Sequence, residues 1–339
     1  MLSTGLSLHS QSDFFNNMPL TISVAFLFFE FSRTALSTCV AGLVLLVIGV
    51  MVAKNDIEQA SGFDKIVALS NLCFAAPLAV FGAEHFSAAQ GISQLVPKFM
   101  PWPLFWTYFV GTGLVAASLS IATKRHVFWS GLLFGTTMFL FVAMMDLPGT
   151  MAEMHNRISW TLMFRELSFG AGGWMLAAAA MDAQHAQSKK LLITFGSIVI
   201  GITALLYGVE NFLHPLNVPG VPLEKMLPTW IPAKLLIGYL TSAILFVAGI
   251  GILLPGKTRI AATYLGAWIV LLVVVIYGPI LIVSLLDPGT AVKVEGINYF
   301  FDTLLYAGTV LALAKAAPDA LPALPEGIKP RLEQGLTQR

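Results

Sequence analysis

Nine stretches of about twenty apolar residues, separated by short polar segments, restrict this chain to one kind of architecture. They run over 35–53, 65–86, 104–122, 127–147, 158–181, 191–212, 233–254, 259–286 and 297–315. At 1.5 Å per residue each is long enough to cross the hydrocarbon core of a bilayer, about 30 Å thick. Barrel strands would alternate over about ten residues, whereas these runs are continuous and point to helices. Charged residues make up 11% of the chain, against roughly a quarter in soluble domains. The expected fold is therefore all-α: a polytopic membrane helix bundle of about nine transmembrane helices, with the lipid bilayer as its first partner. The eighth run carries Pro279, which predicts a tilt or a kink there. A net charge of +1 gives no reason to expect nucleic acid. Cys39 and Cys73 fall at different depths of neighbouring helices and read as two buried thiols rather than a disulfide framework. Residues 1–17 are polar and lack the basic n-region of a cleavable signal peptide, so they read as a flexible tail; 18–33 has the composition of an interfacial segment.

Orientation follows from the basic residues. Twelve of them, among them Lys124, Arg125, Lys257, Arg259 and Lys315, fall on one face, and six, among them Arg33, Arg157 and Lys225, on the other. Arg165 lies inside a span. The bias puts the amino terminus outside and the carboxyl terminus in the cytosol of a cell (inner) membrane.

Within this frame one pattern occurs twice. Phe81-Gly82-Ala83-Glu84-His85-Phe86 and Tyr207-Gly208-Val209-Glu210-Asn211-Phe212 share aromatic-Gly-x-Glu-x-Phe, with the two acids 126 residues apart. Each copy ends an apolar run and is followed by a Pro-rich outer segment, residues 96–101 and 227–232. Tyr108 then matches Tyr239 at an offset of 131, and a basic inner turn joins the next two helices in both halves. Outer turns at Asp146-Leu-Pro-Gly149 and Asp287-Pro-Gly289 lead into a last helix that carries an acid, Glu166 and then Asp302, 136 apart. The reading is a tandem of two four-helix units, 65–181 and 191–315, parallel because an even helix count preserves direction. An extra amino-terminal helix and inner loop occupy 35–64, between an outer tail over 1–34 and a cytosolic tail over 316–339.

The turn Leu254-Pro-Gly-Lys-Thr-Arg-Ile-Ala-Ala262, within a four-helix unit rich in small residues, resembles the DoxX-like family of integral membrane proteins; Lys124-Arg125-His126 departs from it in the first half. The likeness covers both units. It implies a small integral membrane protein and, for some relatives, service as a membrane subunit of a quinone-linked oxidoreductase. It implies a fold more than a chemistry.

Charged and polar side chains at membrane depth are the candidate site. Glu84, His85, Arg165, Glu166, Glu210, Asn211 and Asp302 are the pocket or proton-site residues. Arg165 and Glu166 sit about two turns inside the fifth span, where a bare charge costs several kcal/mol, and Glu84 is the acid expected to pair with Arg165. That pair either locks two helices together or forms part of an outward vestibule. Glu210 and Asp302 have no obvious cation except Lys234; unpaired, they would exchange protons or hydrogen-bond a ligand such as a quinone carbonyl. Glu84 and His85, about 100° apart on a helix, have the donor types for zinc or iron together with Glu153 and His155, but the spacing matches no ligand motif. The alternative is a salt-bridged Glu84 with His85 at headgroup level. Gly170-Ala-Gly-Gly173 and the glycines at 111 and 113 fit close helix packing, and the tryptophans near span ends read as interface belts.

Two function classes remain. One is a membrane subunit of a quinone-linked or other redox system with an outward-facing polar pocket and oxidoreductase partner subunits. The other is a transporter or small-ligand-binding protein, with a scaffold lacking catalysis as the bland form.

Overall fold

The computed structural model describes residues 33–318; both expected tails, but for a few residues next to the bundle, lie outside the described residues. The described chain is helical, with one isolated bridge between Asn217 and Met226 as its only extended pairing. Nine long helices follow in order: α1 (Arg33–Gln59), α2 (Ser70–Ser87, after a helical turn Asp64–Val67), α3 (Pro103–Ala122), α4 (Val127–Ala152), α5 (Arg157–Ala179), α6 (Ala186–Leu213), α7 (Lys234–Leu253), α8 (Thr258–Leu286) and α9 (Thr290–Ala316). Among the described residues eight helices are long and apolar enough to cross a membrane, where the sequence pattern led to nine. The exception is α5. It is 23 residues long and lies within the bundle, but it carries Arg157, Arg165 and Glu166.

Helix packing sets the layout. α2 pairs with α3, α4 with α5, α6 with α7 and α8 with α9. Across the middle the order crosses over: α2 packs on α9, α6 packs on α5, and α5 and α9 meet each other. α2 and α9 are the most enclosed of the candidate spans, with 72% and 78% of their apolar windows buried. α1 lies mainly along α2. In lipid, small residues let helix backbones approach and dispersion do the holding. At the α4–α5 crossing a Cβ on Gly173 would stand 2.7 Å from the Gly131 carbonyl oxygen, and at the α2–α9 crossing one on Gly308 would stand 2.7 Å from the Phe74 nitrogen. Gly113, expected at such a contact, has open space around it instead. Cys73 is buried as expected, but Cys39 is only partly so; among the described residues α1 packs mainly on α2.

The two halves share local geometry at fixed offsets. Trp102 and Ala233 both take a left-handed backbone, φ 56° and 51°, immediately before α3 and α7. A π-turn interrupts α4 at Val142–Asp146 and α8 at Val273–Tyr277, and a proline, Pro148 or Pro279, opens the helical segment that follows. Each proline lacks an N–H and so removes one bond from a helix that runs on through it, just where the π-turn already interrupts the regular ladder. Each of these matches has an offset of 131 residues. This corrects one reading. Asp146-Leu-Pro-Gly149 is not the turn before α5 and does not match Asp287-Pro-Gly289; it is helix, and what stands 131 residues on is the helical segment opened by Pro279 after its π-turn. The chain turns instead at Glu153–Asn156, where the Asn156 side chain accepts from the Ile158 N–H at 3.0 Å and caps α5.

Ion pairs mark the two ends of the bundle. At one end the last turn of α1 and the helical turn after it hold both basic turns: Lys124 Nζ meets Asp56 at 2.5 Å and Arg259 meets Asp64 at 3.1 Å. Nearby, Lys315 Nζ donates to Asn71 Oδ1 at 3.0 Å, and Asn71 Nδ2 to the Ile121 carbonyl at 3.2 Å. The other end holds the repeated acids.

Candidate functional site

The interior cluster forms where α5 and α9 meet. Arg165 Nη1 donates to Asp302 Oδ2 at 2.8 Å, while Nε and Nη2 both reach Glu166 Oε1, at 3.2 and 2.9 Å. Neighbours in a helix point about 100° apart and do not face each other; here two long side chains bend to meet. The three side chains are only 14–20% exposed. Charge-assisted hydrogen bonds of this kind are the strong ones, and in poor solvent they are what makes a guanidinium tolerable.

Arg165 thus pairs with Glu166 and Asp302, not with Glu84 as expected. Glu84, in the last turn of α2, instead accepts a hydrogen bond from Asn298 Nδ2 of α9 at 3.3 Å. The reason is packing: α5 has α4, α6 and α9 as its main neighbours, and α2 faces α9. The expectation that Glu210 and Asp302 lack cations fails for the same reason, because the partner of each sits in the other half. Arg157 of α5 meets Glu210 of α6 at 3.0 Å, with His214 Nε2 4.0 Å from the same acid. Lys234 donates to the Leu227 carbonyl at 3.3 Å.

Further groups complete the cluster, and sequence reasoning had not placed them there. The π-turn in α4 ends at Asp146, within electrostatic reach of Arg165 and Glu166. Asn298, Asp302 and Tyr306 follow one another at four-residue spacing on α9, so they line one face of that helix. The Tyr306 ring lies 5.4 Å from that of Tyr207, whose hydroxyl donates to the Thr161 carbonyl at 3.2 Å. Both tyrosines are fully buried. The Tyr306 hydroxyl and Asn298 Oδ1 are enclosed and hydrogen-bond to nothing among the described residues. The i, i+4 polar spacing was visible in the sequence and would have found them.

The remaining candidates separate. His85 Nδ1 lies 2.7 Å from the Phe81 carbonyl oxygen, which only accepts, so Nδ1 carries the proton. Asn211, at the equivalent place, is buried and does a different job. Its Nδ2 donates to the carbonyls of Tyr207 and Gly220, and its Oδ1 accepts from the Gly220 N–H. Gly220 has φ 98°, which favours glycine. Tyr277 donates to the Pro219 carbonyl at 2.7 Å, and Val218 and Val221 are buried. The α6–α7 loop is therefore tucked into the second half. Glu153 and His155 stand exposed in the α4–α5 turn, Glu153 bonded to Asn156 at 2.9 Å. Among the described residues no three His, Cys, Asp or Glu side chains gather as zinc or iron would need, so Glu84, His85, Glu153 and His155 do not form one site. A shallow groove of about 520 Å³, lined by Arg33, Ser37, Ala83, Phe86, Ser87 and Val115, lies beside α2 without including the Arg165 cluster.

Set beside protein-family models, curated proteins and solved structures, the chain matches none. The site must be read from its own chemistry. One guanidinium stands among four carboxylates, those of Glu84, Asp146, Glu166 and Asp302. Carboxylates in surplus inside a bundle are met by bound protons, a bound cation or a hydrogen-bonding ligand.

Proposed function

We propose that this multi-pass membrane protein is the membrane subunit of a quinone-linked redox system, and that the Arg165–Asp302 cluster borders an outward-facing polar pocket for the quinone head group. The observation that carries this reading is the company the cluster keeps: surplus carboxylates beside two buried phenols, Tyr207 and Tyr306, one with a free hydroxyl. Those groups donate hydrogen bonds and exchange protons, which is what a head group cycling between carbonyl and hydroxyl needs. With no redox centre of its own assigned, the chain would rely on oxidoreductase partner subunits. The resemblance of residues 254–262 to the DoxX-like family, and tandem units over 65–181 and 191–315, belong to the same proposal. Three features at one offset of 131 support the tandem units: the left-handed caps, the π-turns and the prolines after them. In the proposed orientation the amino terminus is outside and the carboxyl terminus in the cytosol of the inner membrane.

A short-chain quinone added to the purified protein should quench its tryptophan and tyrosine fluorescence saturably, and Tyr306→Phe should weaken that binding by roughly tenfold, as losing one hydrogen bond to a head group does. Quenching that never saturates, or that Tyr306→Phe leaves unchanged, would refute the site. The second reading, a transporter of small ligands, is favoured by one feature: the paired π-turns in α4 and α8 interrupt spans, as helices at binding sites often do.

A further inference from the structure

Two lysine amines are held close to each other at the end of the bundle away from the repeated acids. Asn71, at the start of α2, is the fixed point. Its Nδ2 donates to the Ile121 carbonyl near the end of α3, and its Oδ1 accepts from Lys315 Nζ of α9 at 3.0 Å. Lys124 follows the last residue of α3 by two positions, in a left-handed backbone with φ 56°. Its Nζ reaches Asp56 Oδ2 at 2.5 Å and the Val52 carbonyl at 3.4 Å, both on α1. Lys315 lies within electrostatic reach of Lys124 and Asp56 together. Two amines are thus fixed where α1, α2, α3 and α9 end, and they share one carboxylate. An ammonium carries three N–H groups; the partners just named take one from Lys315 and two from Lys124. The rest face outward, since the Lys124 side chain is 33% exposed and Lys315 is exposed. Arg125, the next residue, is exposed too, and Trp129, in the first turn of α4, is 59% exposed.

We propose that Lys124 and Lys315 bind the phosphate of an anionic phospholipid in the leaflet at this end of the bundle. Two positive charges against one negative leave a surplus that phosphate oxygens can meet by accepting from both amines, and hydrogen bonds between ionised groups are the strong ones. Lysine binds phosphate as a point charge, so the surplus matters more than a planar fit. The phosphate is a lipid's because the amines stand at the ends of candidate spans, where head groups lie, and because Trp129 is the kind of side chain that settles at that level. Asp56 holds Lys124 in place and competes with the phosphate for it. The site uses no residue of the Arg165 cluster and does not rest on the quinone reading.

The test is lipid binding to the full chain, stripped of lipid in an uncharged detergent. Native mass spectrometry counts bound dioleoylphosphatidylglycerol, and thermal unfolding follows the stabilisation it brings, since a ligand raises the midpoint with its concentration. This lipid should bind and raise the midpoint, where dioleoylphosphatidylcholine and inorganic phosphate at equal concentration do not. Lys124→Gln and Lys315→Gln should each weaken binding by about tenfold or more. Lys124→Arg keeps the charge and should retain binding, while Lys190→Gln, at the same end but on α6, should change nothing. Asp56→Asn removes the competing acid and should tighten binding. The lipid count is read without unfolding, so an unstable variant still decides. The proposal is overturned if phosphatidylcholine or inorganic phosphate does as well, if the two glutamine variants lose no more than Lys190→Gln, or if Asp56→Asn weakens binding as Lys124→Gln does.

Discussion

Arg165 shows what a single residue can and cannot reveal in sequence. An arginine in a span must find an acid, and that expectation holds; which acid it finds depends on which helix lies beside it. Depth along the membrane pointed to Glu84, but depth says nothing about azimuth, and the crossover packing brings α9 to α5 instead. The carboxylate at the end of the 137-residue gap, Asp302, therefore takes the bond that sequence reasoning gave to an acid only 81 residues away. Breaking a buried pair costs about 3–5 kcal/mol because one charge is left alone, while replacing both partners costs much less. Arg165→Met and Asp302→Asn should thus be strongly non-additive in a double-mutant cycle on thermal stability in detergent. Additive losses would mean that the two groups do not interact. The candidate residues were largely legible one by one, because charge at membrane depth is conspicuous; their partners were not.

At the scale of helices, what was legible is what the bilayer dictates. All nine runs appear as helices close to their expected bounds, because a bilayer accepts no other backbone for continuous apolar stretches. The interruptions were less legible. Asp146-Leu-Pro-Gly149 has turn composition, yet helix continues through it, the π-turn at Val142–Asp146 taking up the irregularity that the missing proline N–H imposes. The offsets between the matched features are 126 for the two Glu motifs, 131 for the left-handed caps, π-turns and prolines, and 136 for Glu166 and Asp302. Close packing of α4 on α5 gives a test at this scale. Gly173→Leu forces a side chain onto the Gly131 carbonyl and should cost about 1–3 kcal/mol or more, whereas Gly113→Ala, with nothing near it, should be close to neutral. Equal effects from the two, measured as urea or thermal midpoints, would show that the α4–α5 contact is looser than described.

For the whole molecule, the end of α1 and the helical turn after it join the halves at one end through Asp56–Lys124 and Asp64–Arg259, and the Arg165 cluster joins them inside. Surface pairs of the first kind are worth little, about 0–1 kcal/mol each, so Asp56→Asn should leave the melting midpoint almost unchanged; a large drop would show the clamp to be a main support. The proposed orientation predicts that a reporter fused after Arg339 works only if it is of the cytosolic kind, and an active exported phosphatase there would reverse the topology. The crossover has a consequence for how the protein is made. The partner of Arg165 lies on the last of the described helices to leave the ribosome, 137 residues later. At about 5–20 residues per second the arginine waits on the order of ten seconds in the membrane with only its neighbour Glu166 for company. During that interval the first half is complete as a sequence and unfinished as a structure, and whatever holds nascent spans near the insertion machinery must hold this one until α9 arrives.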